Sequence, residues 1–236
     1  MNAGRISAAF VQDVRLQWRN GFYYASAFVA LVLVLVLLQF NGVDFRFWWP
    51  PLILENLVIN AFYFMSGLVL LEKGEGTLEA LLVSPLRDWE YLSAKVLSLT
   101  MLSLLETILV VVVVSGLPAN LLWLVLGLLL LIGIFSLYGF FVVSRYDSIS
   151  EFLLPSVAWT FLYSLPLLGY LNLWRHPILY LHPIQAPLSL IEAAFNPVAP
   201  WQILYGLVYG GLWLVIGLLV SRRAYYRFII RKEGVS

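Results

Sequence analysis

The chain has 236 residues, of which 62% are apolar and 11% are charged, with a net charge of +1. Soluble domains carry about a quarter charged residues, so this composition excludes a soluble protein with one buried core. A helix of about 20 mostly apolar residues spans a bilayer. The length therefore leaves room for about six spans with short loops and for no separate soluble domain. Because cysteine is absent, disulfides and thiolate chemistry are excluded.

The first twenty residues predict a helix that lies in the membrane interface. Ile6, Phe10, Val14 and Trp18 recur every four residues and form one broad apolar face. A helix of this kind lies in the plane of the interface and leads into the first span; the alternative is a frayed polar tail. The apolar run that follows is too long for a cleaved signal peptide, so we expect a permanent span.

Charge-free apolar runs predict an all-α polytopic fold with six transmembrane helices in a single domain over residues 1–236. The predicted spans cover about 22–40, 52–71, 95–115, 121–143, 152–170 and 201–220. A charged loop at 72–94 separates the second span from the third. Residues 171–200 hold five of the eleven prolines. Since proline kinks helices, we expect an outer re-entrant segment there.

The positions of the basic residues predict the orientation of the chain. With the N-terminus inside, twelve of the fourteen Lys and Arg residues fall in cytoplasmic segments, and only Arg46 and Arg175 fall outside. Short cytoplasmic loops carry this excess of positive charge in membrane proteins. We therefore expect both termini to be cytoplasmic.

Glu106 is the only charged residue between Lys95 and Arg145, and it falls near the middle of the predicted third span. A carboxylate at that depth costs roughly 2.5–3.5 kcal/mol to insert. The functional interpretation is that Glu106 lines a solute pathway or binds a cation; the alternative is a hydrogen-bonded residue that joins helices. Glu55 and Asn60 of the second span are further pathway candidates, with simple hydration of Glu55 as its alternative.

The sequence gives little support for catalysis or metal binding by this chain. His176 and His182 are six residues apart and each precedes a proline, which is poor geometry for one metal ion. Neither an HExxH motif nor a GxSxG motif occurs. No lysine occurs in the sequence context of a P-loop, directly after a glycine and before Ser or Thr. We expect no catalytic residue, no metal site and no bound cofactor here, so ATP would have to be bound by another polypeptide.

The cytoplasmic loop contains a predicted short helix. Thr77 is a good N-cap, and Glu79 suits the positive end of the helix dipole. Pro85 ends the helix after about two turns, or roughly 10 Å. Asp88 is expected to cap the next helix. One face of the short helix carries three leucines: Leu78, Leu81 and Leu82. The alternative is an ordinary capped loop.

The run Glu72–Pro85 resembles the cytoplasmic loop of type-2 ABC export permeases, and the run Asp88–Lys95 resembles their entry into the third span. More narrowly, Phe62–Gly76 resembles permeases labelled as fluoroquinolone exporters. The resemblance implies a coupling helix that seats in a groove of a separate ABC ATP-binding subunit. Its contact residues would be Gly76, Thr77, Leu78, Glu79, Leu81 and Leu82.

The resemblance further implies the membrane subunit of an ATP-driven exporter in a prokaryotic plasma (inner) membrane, moving an amphipathic, drug-like or lipid-like solute by alternating access. A second permease copy would complete a homodimer or heterodimer. ATP and Mg would lie on the partner subunit, and no nucleic acid is expected to bind. The alternatives are a haem-export-type permease, a gradient-driven secondary transporter or channel that uses Glu106, and a membrane scaffold.

Overall fold

The computed structural model describes residues 3–40, 42–77 and 87–230. Within these ranges the secondary structure is helical and includes no strand, which confirms the all-α prediction. The helices of the described ranges are α1 Ala3–Arg19, α2 Phe22–Leu37, α3 Trp49–Gly74, α4 Asp88–Ser115, α5 Leu121–Val143, α6 Ile149–Tyr170, α7 Gln185–Phe195 and α8 Pro200–Ala224. A 3-10 turn covers Pro177–Leu181, and α8 continues as a π-helix over Tyr225–Ile230.

Five of these helices are long and apolar enough to cross a membrane: α3, α4, α5, α6 and α8. Helix α2 has only 16 residues, about 24 Å, and reaches the length of a span only together with α1. The two helices bend by 63° where they meet. Gly21 lies at this bend with φ of 83°, a left-handed conformation that glycine adopts without steric cost. The described residues therefore contain five candidate spans, or six if the bent pair counts as one.

Helix α5 lies at the centre of the bundle and packs against α3, α4, α7 and α8. Its Leu128, Phe135 and Phe140 are completely buried. Helix α7, from the predicted re-entrant segment, packs closely on α5, because a Cβ at Gly127 would lie 3.0 Å from the backbone nitrogen of Ile191. By contrast, only 22% of an apolar 18-residue stretch of α6 is buried, and only 17% of the corresponding stretch of α8. Those two helices therefore present apolar faces to lipid or to another protein.

A π-helical segment, Val58–Tyr63, interrupts α3 in its middle. Such segments widen a helix and leave carbonyl groups without their usual partners. Here Ser103 Oγ donates to the carbonyl of Asn60 at 3.0 Å, and Ser66 Oγ donates to that of Phe62 at 2.8 Å. Gly139 of α5 lies so close that a Cβ would come within 2.6 Å of the Phe62 carbonyl oxygen. Contacts from α4 and α5 thus support the widened turn.

Helix α1 packs on α4 through polar residues. Asp13 and Gln17 are 6% and 0% exposed, and Gln17 Nε2 donates to Ser98 Oγ at 2.8 Å. Trp18, from the predicted apolar stripe, is 56% exposed. The buried face of α1 is therefore the one that carries Asp13 and Gln17, while part of the apolar stripe remains available to the membrane.

Candidate functional site

Glu106 lies on α4 opposite two asparagines of α3, one turn apart. Its Oε2 accepts hydrogen bonds from Asn56 Nδ2 at 2.8 Å, Asn60 Nδ2 at 3.2 Å and Thr107 Oγ1 at 3.3 Å. The residue is only 7% exposed, and its Oε1 is buried without a hydrogen-bond partner. We call Glu106, Asn56, Asn60 and Thr107 the midspan cluster. At its centre is a buried carboxyl group with one oxygen hydrogen-bonded and the other without a partner.

The structure brings together two of the three predicted pathway residues, Glu106 and Asn60. Asn60 falls within the π segment and faces α4, because its Nδ2 donates to Glu106. The third, Glu55, is exposed, and its Oε1 accepts a 2.7 Å hydrogen bond from Ser164 of α6. Asn56 was not among the predicted pathway residues, although its spacing of four from Asn60 places both on one face of a helix.

A second polar cluster lies at the ends of the 72–94 loop. Lys95 is completely buried, and its Nζ is 2.6 Å from Glu72 Oε1 and 3.1 Å from Asp13 Oδ1. Tyr91 donates from its hydroxyl to Glu72 Oε2 at 2.6 Å. We call Asp13, Glu72, Tyr91 and Lys95 the loop-base cluster. It joins α1 to both flanks of the loop, and no local feature of the sequence predicts it.

Further contacts fasten the same flanks to the rest of the bundle. Lys73 Nζ donates to the carbonyls of Ser144 and Tyr146, at 2.9 and 2.7 Å, just after α5. Asp88 pairs with Arg222 of α8 at 2.7 Å. The prediction that Asp88 caps α4 is wrong: the helix begins at Asp88 itself. Glu90 provides the cap instead, since its Oε2 accepts from the backbone nitrogen of Arg87 at 3.0 Å.

Of the predicted coupling residues, only Gly76 and Thr77 fall within the described ranges. Gly76 has φ of +66° with open space around it, which provides the sharp exit after α3. Thr77 Oγ1 donates to the carbonyl of Glu72 at 3.1 Å. The remaining coupling residues lie outside the described residues: Leu78, Glu79, Leu81 and Leu82.

The two histidines cap short helical turns between α6 and α8. Nδ1 of His176 accepts from the backbone nitrogen of Ile178, and Nδ1 of His182 accepts from that of Ile184, each at 3.2 Å. Burial lowers the pKa of His182 to about 4, because burial disfavours the charged imidazolium. In the described ranges no group of three or more His, Asp or Glu side chains has the placement to hold a metal ion.

Comparison with known proteins gives near-complete matches. The model of the fluoroquinolones export permease protein family matches residues 4–233. Two relatives, each described as a fluoroquinolones export permease protein, come from Mycobacterium tuberculosis strains CDC 1551 / Oshkosh and ATCC 25618 / H37Rv. Each is 36% identical over 235 residues, which is 98% of this chain and 99% of the relative.

The match runs through the midspan cluster, the loop-base cluster and the predicted coupling loop, so no part of either site depends on an unmatched segment. The candidate spans agree with a multi-pass membrane protein. A chain matched over this length belongs to the fluoroquinolones export permease protein family.

Proposed function

We propose that this chain is the membrane subunit of an ATP-driven drug exporter that works by alternating access with a separate ABC ATP-binding subunit. Membership of an export permease family supports a transport role. The sequence lacks a P-loop lysine, so the ATP and Mg would be bound by the partner. A second permease copy would cover part of the apolar surface that α6 and α8 expose.

The observation that carries the proposal is the loop-base cluster. A buried ion pair resists separation, because removing one partner leaves an uncompensated charge and costs about 3–5 kcal/mol. Lys95 of α4 is held by Glu72 of α3 and Asp13 of α1. A force applied to the 72–94 loop would therefore move three helices together rather than bend one of them. This is the mechanical property that a coupling element needs.

The proposed solute is an amphipathic, drug-like molecule, with fluoroquinolones as the first compounds to test. The relatives' names state fluoroquinolone export, and the 36% identity over nearly the full length supports carrying that solute class to this chain. The proposed pathway includes Glu106 and Asn60, with Glu55 at the end of α3 nearest the outer side in the predicted orientation.

The test is a pull-down of the tagged chain from native membranes in mild detergent, with co-purifying proteins identified by mass spectrometry. Wild type should retain an ATP-binding subunit, and Leu82→Asp should lose it, because a charge on the apolar face of the predicted short helix would oppose docking. The matched control is Leu117→Asp, at the opposite end of α4, where the side chain is 73% exposed. This control should retain the subunit. Absence of any ATP-binding subunit from wild type would overturn the proposal.

The unpartnered Oε1 of Glu106 favours one rival, a gradient-driven transporter that uses this carboxyl group. The purified chain in proteoliposomes distinguishes the two functions. Solute accumulation driven by a proton gradient, without any ATP-binding subunit, would support the rival. The exporter proposed here should show none.

A further inference from the structure

We propose that a groove between α2 and α4 is a binding site for an amphipathic organic cation, whose protonated amine donates to Glu106. As a statement about the exported solute, this inference rests on the proposed function. As a statement about binding, it concerns this chain alone.

The groove has a cavity volume of about 450 Å³ and is bordered by only two helices. Its walls are almost entirely apolar: Ala27, Ala30, Leu31 and Val34 of α2 face Leu102, Leu105, Leu109 and Val113 of α4. Several of these side chains are exposed, with Leu105 at 63% and Leu109 at 54%. The groove is therefore open along the side of the bundle, where an amphiphile dissolved in the membrane has direct access.

Three side chains in the groove carry oxygen atoms without a hydrogen-bond partner. They are Oε1 of Glu106, Oγ of Ser26 and the hydroxyl oxygen of Tyr23, each of them buried. Glu106 and Ser26 are 7% and 1% exposed. Buried polar atoms are nearly always paired in proteins, so three unpaired oxygens in one apolar groove point to a missing donor.

The charge of the groove determines which donor fits. Three donors already converge on Oε2 of Glu106, so Oε1 is the atom left to accept from a ligand, and a bound cation beside it would favour the ionised carboxylate. No lysine or arginine lines the groove among the described residues. An ammonium group would supply both a positive charge and N–H donors for Oε1 of Glu106, and Ser26 and Tyr23 offer further acceptors. An acyl chain of a lipid would fill the apolar walls but leave all three oxygens unpaired.

Binding can be measured with the purified chain in lipid nanodiscs, without an ATP-binding subunit. The probe is dansylcadaverine, a fluorescent amphiphile with a primary amine, and its N-acetyl derivative is the uncharged partner. Empty nanodiscs give the background from partition into lipid. Wild type should bind the amine about 10- to 100-fold more tightly than the N-acetyl compound, the range expected for a hydrogen bond to a charged group.

Glu106→Gln keeps the size of the side chain but removes its charge, so it should bind the two probes equally. The control Glu192→Gln, a half-buried carboxyl on α7 outside the groove, should keep the wild-type preference. Ala27→Trp places an indole in the groove and should weaken binding of both probes, which provides a second test if Glu106→Gln fails to fold.

Three outcomes would overturn the inference. The first is that wild type shows no preference for the amine. The second is that the preference persists in Glu106→Gln, and the third is that Ala27→Trp leaves binding unchanged. The last result would mean that the probe binds outside the groove, as it would if lipid or a second copy of the chain already filled it. Because no ATP-binding subunit is present, these outcomes are independent of the pull-down that tests the proposed function.

Discussion

Nε of Arg222, at the end of α8, donates a hydrogen bond of 2.7 Å to Oδ2 of Asp88, the first residue of α4. The pair fastens the last candidate span to one flank of the 72–94 loop. Asp88 is buried, whereas the Arg222 side chain is 41% exposed. This contact is therefore open to solvent on one side, unlike the contacts of Lys95, and the two should differ in energy.

Replacing Arg222 should have a small effect on stability. Exposed ion pairs contribute about 0–1 kcal/mol, because water screens them and long side chains lose entropy. We expect Arg222→Gln to lower the free energy of unfolding by about 1 kcal/mol or less, measured by equilibrium denaturation with SDS in mixed micelles. A loss several times larger would contradict the expectation that water screens the ion pair between Asp88 and Arg222.

Replacing Lys95 should have a much larger effect. Lys95→Met leaves Asp13 and Glu72 buried next to each other without their cation, and the expected loss is about 3–5 kcal/mol. The same denaturation experiment measures it. The control combines Lys95→Met with Asp13→Asn and Glu72→Gln, which removes the charges together and should recover part of the loss. If the single variant were as stable as wild type, the cluster would not hold the loop flanks.

The close contact between α3 and α5 predicts an effect of a single methyl group. In Gly139→Ala the new Cβ would meet the Phe62 carbonyl oxygen at 2.6 Å, and backbone cannot retreat as a flexible side chain does. We expect a loss of about 1–3 kcal/mol from overpacking.

Gly211→Ala is the matched control on α8, where a Cβ has nothing within 4 Å. It should be neutral, or stabilising by up to about 1 kcal/mol, because alanine favours helix. Equal effects of the two substitutions would show that the π segment does not depend on this contact.

The buried imidazole of His182 predicts a dependence of stability on pH. Its pKa in the folded chain is about 4, against an ordinary value of 6.5, so the unfolded chain binds more protons between these values. Stability should therefore be retained above about pH 6.5 and lost as the pH falls towards 4. His182→Gln should weaken this dependence, while His176→Gln retains His182 and should keep it. Thermal unfolding between pH 4 and 7 measures both.

Much of the helical framework follows from the sequence, because a charge-free apolar run of sufficient length has few other solutions in a bilayer. The predicted span at 121–143 has the same bounds as α5, Leu121–Val143. Hydropathy alone starts the third span at residue 95, whereas α4 begins seven residues earlier at Asp88, within one residue of the helix start that the predicted cap indicates. The first turns of α4 are polar, so hydropathy does not reveal them. Specific partners stabilise Asp88 and Glu90 there instead.

The candidate sites were only partly predictable. Glu106 stood out because it is an isolated charge in an apolar run, and that signal is local. The loop-base cluster depends on Asp13 and Lys95 meeting across 82 positions of the chain, and neither charge looks unusual beside its own neighbours. The π segment is equally non-local, because Ser103 and Gly139 from other helices support it.

Helix α4 is continuous from Asp88 to Ser115 and carries both Lys95 and Glu106. Eleven residues separate them, which is about three turns and roughly 16 Å along a single rod. If docking of an ATP-binding subunit shifts this rod and so alters the affinity for a cation at Glu106, thermodynamic linkage fixes the reverse effect. The cation must then alter the affinity for the docked subunit by the same factor. A saturating solute would thus be detectable as tighter or weaker assembly of the complex, before any transport is measured.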